Sequence, residues 1–177
     1  MHKIIPNTFT FISDFKKAQI LNLYKNTGII LRNFENEYPI DKIIKLRDFC
    51  RSSNKKLYLA NDIRLAIKLN LDGAYISAFN KNINIYHSVK KNFTILGSAH
   101  DQVEIKIKEK QGVDIIFISP LFKTKNYKKW LGITKFNMLS KSTKKKVVAL
   151  GGINQKNIKK LKMTNAYGFS GISYFLK

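Results

Sequence analysis

Eight short, almost continuously apolar runs recur along the chain, at residues 8–12, 28–32, 57–60, 73–76, 93–97, 115–119, 146–150 and 168–172. Runs of this length without polar alternation are expected of strands buried on both faces. Between them lie longer amphipathic stretches, at 16–24, 41–52, 62–69, 85–91, 101–111, 134–142 and 154–163, which read as helices. In 101–111, Val103, Ile105 and Ile107 alternate as a strand would, but Asp101 and Glu104 form a helix start signal, and a crossover is needed there. One junction recurs. Asn70-Leu71-Asp72-Gly73, Gln111-Gly112-Val113-Asp114 and Asn165-Ala166-Tyr167-Gly168 each lead from a helix end through glycine into an apolar run, and glycine suits the left-handed position that ends a helix. Repeated βα units of this kind give a parallel sheet, and eight in succession close a barrel. The reading is a single domain over residues 1–177, a compact parallel (β/α)8 TIM barrel. Only five residues follow the eighth run, so its last helix is truncated or missing. The outer face left open there has room for a partner chain, which allows a homo-oligomer.

Composition narrows the function classes. With 44% hydrophobic and 12% aromatic residues, the 177 residues can build a core. The single cysteine, Cys50, excludes a disulfide framework and a multi-cysteine zinc site, and reads as core in the second helix. No apolar run approaches the ~18 residues of a spanning helix, and the first residues do not read as a signal peptide. A cytoplasmic protein with no membrane association is expected. The formal charge is +22, but it comes from 29 lysines and only four arginines, alongside 17 asparagines. Arginine is the better residue for bidentate contacts to phosphate and guanine. Diffuse lysine with abundant asparagine looks like the residue usage of an AT-rich genome, and no specific nucleic-acid role is expected.

In such a barrel the active site lies at the C-terminal ends of the strands. Those ends carry Ser13 and Asp14, Arg32 and Asn33, Asn61 and Asp62, Ser77, Ser98 and His100, Ser119, Pro120 and Thr124, Gly151 and Gly152, and Ser173. The set is rich in hydroxyls, amides and glycines and poor in paired carboxylates, which argues against glycosidase-type chemistry. Gly151-Gly152-Ile153-Asn154 is expected to open a helix directly after the seventh run, where backbone N–H groups and the helix dipole favour a phosphate. Ser173 can add a hydroxyl there. The long loop 120–132 carries four lysines and a glycine hinge candidate, Gly132. His100 is a candidate general acid or base.

Nearly the whole chain resembles the thiamine phosphate synthase family and its relative, the thiazole tautomerase. The matching segments run in order: Leu31-Arg32, Leu57-Tyr58-Leu59-Ala60-Asn61-Asp62, Leu71-Asp72-Gly73-Ala74-Tyr75-Ile76, Gly97-Ser98-Ala99-His100, Ser119-Pro120-Leu121-Phe122-Lys123-Thr124, Val148-Ala149-Leu150-Gly151-Gly152-Ile153 and Gly168-Phe169-Ser170-Gly171-Ile172-Ser173. The resemblance implies a transferase that joins hydroxymethylpyrimidine diphosphate to thiazole phosphate and releases diphosphate, with Mg2+ as cofactor. It places Arg32, Asn61 and Thr124 on the diphosphate side and Ser98 on the pyrimidine side. Gly151, Gly152, Ile172 and Ser173 would hold the thiazole phosphate, and Asp62 would be the metal ligand. The family's Gln-x-Arg-x-Lys reads Ile30-Leu31-Arg32-Asn33-Phe34 here. Its Gln-x-Asp after the fourth strand reads Ala78-Phe79-Asn80, and its Thr-x-Thr-Lys reads Thr124-Lys125-Asn126-Tyr127. Lys125, Lys128 or Lys129 would replace the lost lysine. The alternatives are a thiazole phosphate isomerase using His100, and a non-catalytic binder of a phosphorylated thiamine precursor.

Overall fold

The computed structural model describes residues 5–32, 39–84, 92–125, 128–172 and 174–175. Eight strands form a closed barrel in sequence order: β1 (Thr8–Ile12), β2 (Gly28–Leu31), β3 (Lys56–Ala60), β4 (Gly73–Ile76), β5 (Thr94–Ala99), β6 (Ile115–Ile118), β7 (Lys146–Leu150) and β8 (Gly168–Ser170). All eight pairings, including β1 with β8, are parallel. Each apolar run therefore became a strand, with β5 starting one residue later than expected and running on to Ala99. The helices are α1 (Lys17–Leu21), α2 (Ile40–Ser52), α3 (Ile63–Lys68), α4 (Gln102–Lys110) and α5 (Gly132–Lys141). The helix expected over 85–91 lies outside the described residues. The segment 101–111 is helical for the expected reason: Asp101 Oδ1 accepts from the Glu104 N–H and caps α4.

Two expectations need correcting. The seventh helical stretch is not an α-helix opening at Gly152. A single turn over residues 155–157 intervenes, and only Ile158–Met163 coil, as a 3-10 helix. The asparagines explain the delay. Asn154 Nδ2 and Asn157 Nδ2 both donate to the Gly152 carbonyl, and Asn157 Oδ1 accepts from the Asn154 N–H. These side chains satisfy the backbone locally and compete with helix formation. Second, of the glycines in the three recurring junctions only Gly112 is left-handed (φ 71°). In the first junction Asn70 takes that position (φ 53°), while Gly73 lies in β4, where a Cβ would collide with the Thr94 carbonyl oxygen. The chemical signal in the first two junctions is the aspartate. Asp72 Oδ2 accepts from the Leu57 N–H of β3, and Asp114 Oδ2 accepts from the Ile95 N–H of β5. Each ties the start of one strand to its neighbour.

The core has two layers, set by the period of the strands. Residues pointing outward, such as Ile29, Leu57, Ala74, Ile116 and Ala149, pack against the helices. Those pointing inward include five aromatic rings, Phe9, Phe11, Tyr58, Tyr75 and Phe117. Phe117 meets Phe9 and Tyr75 edge-on, with ring centroids 5.0 and 5.7 Å apart, and Phe11 meets Tyr75 at 5.1 Å. Such T-shaped pairs add about 0.5–1.5 kcal/mol each beyond burial. Burial, aided by Asp72, pushes the Tyr58 hydroxyl well above its ordinary range. Beyond β8 the described residues carry no helix. Instead Tyr174 and Phe175 fold back on Phe169, and the Tyr174 hydroxyl lies 2.9 Å from that of Tyr24.

Candidate active site

Continuing the inward-facing period by one step past the aromatic layer reaches polar residues on five strands: Ser13, Arg32, Ser77, Ser98 and Ser119. All five line cavities at the barrel mouth. One cavity, of about 220 Å³, is walled by Arg32, Ser77, Ser98, His100, Ser119 and Thr124, with Gly151 at its edge. A second, of about 440 Å³, lies over β1 and is walled by Ser13, Asp14, Lys16, Arg32 and Ile172. Arg32 belongs to both. Its guanidinium carbon sits 4.8 Å from the centre of the Phe11 ring, a cation–π contact that holds the charge between the two spaces.

His100 is oriented by its own helix. Its backbone N–H donates to Glu104 Oε2 at 2.7 Å, and its Nδ1 lies 2.9 Å from the same oxygen. A carboxylate only accepts, so Nδ1 carries the proton, and Nε2 is the acceptor of the neutral ring. Asn61 is left-handed (φ 62°) at the end of β3, and its Oδ1 accepts from both the backbone N–H and the Oγ–H of Ser77, at 3.1 and 2.8 Å. Asn61 thus holds Ser77 and is not among the residues that line the cavity.

The remaining residues distribute unevenly. Gly151 (φ 96°) and Gly152 (φ 70°) are both left-handed. A Cβ on Gly151 would lie 2.7 Å from Pro120 Cβ, and one on Gly152 would lie 2.5 Å from the Lys123 carbonyl oxygen. Their smallness lets the loop after β6 close against β7, where Leu121 and Phe122 N–H donate to the carbonyls of Leu150 and Gly151. Gly152 therefore faces the loop, and Ile172 lines the other cavity. Lys125 is exposed, and Ser173 lies outside the described residues. Ser170 lies in one of the segments that resemble the family, but its residue type alone assigns it no role. Its hydroxyl is buried at the end of β8 with no hydrogen-bond partner among the described residues. Glu104 and Lys108 were likewise missed, because charged residues on an amphipathic helix read as solvated.

The donor set tests magnesium. The cation favours carboxylate oxygens together with substrate phosphates. Asp62 Oδ1 accepts from the Leu65 N–H as the cap of α3, and Asn80, where a carboxylate would serve, engages its Oδ1 with the Asn82 N–H. No cluster of three His, Cys, Asp or Glu residues that could hold a metal occurs among the described residues. Among the described residues the protein offers magnesium no more than the Asp62 carboxylate at this mouth, and substrate phosphates would have to complete its shell.

A closed parallel eight-stranded barrel with cationic and hydroxyl groups gathered at its C-terminal mouth is the architecture of a TIM-barrel protein with a polar cavity where such barrels carry their sites. The family model for thiamine monophosphate synthase matches residues 19–175, and the chain belongs to that family. A putative thiamine-phosphate synthase 2 of Aquifex aeolicus is 32% identical over 81% of this chain and 80% of its own. The thiamine-phosphate synthase of Pelagibacter ubique is 25% identical, covering 97% of this chain and 90% of its own. In fold, thiamine phosphate pyrophosphorylase from Pyrococcus furiosus superposes with a TM-score of 0.76 at 18% identity, covering 96% of this chain and 86% of that one. No helix among the described residues is long and apolar enough to cross a membrane.

Proposed function

We propose that the chain joins hydroxymethylpyrimidine diphosphate to thiazole phosphate, giving thiamine phosphate and diphosphate. The observation that carries this reading is the two-lobed mouth divided by Arg32, which suits two anionic substrates meeting at one cation. Together the lobes fall within the roughly 300–1,000 Å³ of small-molecule sites. The bond from the pyrimidine methylene carbon to the diphosphate oxygen breaks, and the oxygen leaves with the electron pair. The methylene carbon then accepts the lone pair of the thiazole nitrogen, and the new C–N bond leaves the positive charge on the thiazolium. The guanidinium of Arg32 stabilises the charge that develops on the leaving diphosphate, and it does so without reorganising. Ser98 and Thr124 share the smaller lobe and orient the diphosphate-bearing substrate. Gly151 at the rim lets a phosphate approach backbone.

Incubating both precursors with the protein, with and without magnesium, and assaying for thiamine phosphate tests this. Product at a rate above the protein-free control supports it, and none under either condition rules it out. The His100–Glu104 pair favours one second reading, isomerisation of a thiazole phosphate, in which Nε2 takes a proton from one ring position and returns it to another. That reading requires solvent deuterium to enter thiazole phosphate in the absence of the pyrimidine.

A further inference from the structure

The side chain of Lys108 is fully buried, yet no carboxylate among the described residues lies within ion-pair distance of it. Buried lysines are rare unless paired. This one is satisfied by neutral oxygens. From the last turn of α4, Nζ donates to the backbone carbonyls of Ser77 and Asn80 and to Gln111 Oε1, each at 2.8 Å, which uses all three of its protons. Gln111 Nε2 completes the clamp, donating to the carbonyls of Asn80 and Asn82 at 2.9 and 2.8 Å. Four hydrogen bonds thus converge on the loop that follows β4, and the fifth joins Lys108 to Gln111. The same loop reaches the cavity: Ser77, Ala78 and Phe79 wall the smaller lobe together with Arg32 and Thr124.

We propose that Lys108 is a positioning residue, which fastens the β4 wall of the smaller lobe from behind and lends that wall a positive charge toward a diphosphate-bearing substrate. The inference rests on the reading that this lobe receives the diphosphate. Burial lowers the ammonium to about 8, and Glu104, one turn back on α4 and engaged with His100, opposes that shift. The group is therefore largely charged at neutral pH. Replacing it with an apolar side chain removes the charge and leaves the Ser77 and Asn80 carbonyls without their donor, so both the charge and the fastening are lost together. A charge behind the wall supplies long-range attraction through a medium that screens poorly. It stands where this chain carries Asn80 instead of a carboxylate.

The test compares the full chain with Lys108→Met and Gln111→Leu. Inorganic diphosphate is the binding probe, by calorimetry at fixed salt, and hydrogen exchange is followed at the amides of residues 78–82. Steady-state KM is measured for each precursor. Lys108→Met is expected to fold, to bind diphosphate about tenfold more weakly, and to raise KM for the pyrimidine diphosphate by a similar factor. KM for thiazole phosphate should stay within about twofold, since its lobe does not touch this wall. Amides 78–82 should exchange faster in both variants, whereas Gln111→Leu keeps the charge and most of the diphosphate affinity. A folded Lys108→Met with unchanged diphosphate affinity overturns the inference. If Lys108→Met fails to fold, unchanged exchange at 78–82 in Gln111→Leu overturns it. If the wild type forms no thiamine phosphate but its diphosphate affinity depends on Lys108, the proposed reaction falls and the inference stands.

Discussion

Arg32 concentrates the consequences at residue scale. Lysine at this position keeps the charge but loses the planar fork and its seat on Phe11. Arg32→Lys is expected to lower kcat/KM by roughly 10–100-fold, and Arg32→Ala by more, with thermal stability little changed. Equal rates in all three proteins would place the leaving group elsewhere. Gly152 carries a different kind of prediction. Its left-handed backbone and the nearby Lys123 oxygen leave no room for a Cβ, so Gly152→Ala should destabilise by about 1–3 kcal/mol. Urea unfolding would register that loss even without ligand. Two buried groups contribute to the pH response with opposite signs. Folding lowers Lys108 from 10.5 to about 8. Below pH 8 both states hold the proton, and the native state bears the full cost of burial. Between pH 8 and 10.5 the unfolded chain holds more protons, so this contribution to stability rises with pH. Cys50 acts in the opposite sense. Burial raises its thiol from 9.0 to about 12, so its contribution falls from pH 9 upward as the unfolded thiol ionises. Urea melts at pH 7.5 and 10 should show wild type gaining on Lys108→Met across that interval, and parallel behaviour would contradict the shift.

Among the elements, the inner aromatic layer is the part whose energetics stand out. Phe117 is fully buried and meets Phe9, Phe11 and Tyr75 edge-on. Phe117→Ala should cost about 3–5 kcal/mol by large-to-small core measures, read as a lower urea midpoint with an unchanged slope. A loss under 1 kcal/mol would mean the rings repack around the gap. The strands were legible in the sequence because burial on both faces leaves unbroken apolar runs, and the residues read at their C-terminal ends include Arg32, Ser98, His100 and Thr124, which line one cavity. Less was legible where side chains replace backbone hydrogen bonds. Asn154 and Asn157 turned an expected α-helix into a turn and a short 3-10 segment, and periodicity does not register a side chain that caps its own neighbours. Lys108 was invisible for a related reason. Its sequence context is that of an exposed helix face, and only the three-dimensional return of the β4 loop buries it.

Over the whole molecule the charge of +22 is spread as lysine, so attraction to polyanions should be general and strongly dependent on salt. Duplex DNA is expected to bind more weakly than micromolar at about 0.15 M salt, with affinity falling as salt rises. Sub-micromolar binding that persists at that ionic strength would show a specific nucleic-acid surface. The seam between β8 and β1 has a consequence of its own. It is registered by only two residue pairs, Thr8↔Phe169 and Phe9↔Ser170, whereas β1 and β2 share four. Every other neighbouring pair of strands is joined by a short stretch of chain, but this one closes a loop nearly as long as the protein. The entropy of closing a loop grows with its length, and here the shortest ladder must compensate the largest loop. The ring behaves as a belt with a small buckle. It is expected to fasten last in folding and to slip first under stress, with the Phe169 and Gly171 amides, which donate to Asn7 and Phe9, becoming open to solvent before those of β2 and β3.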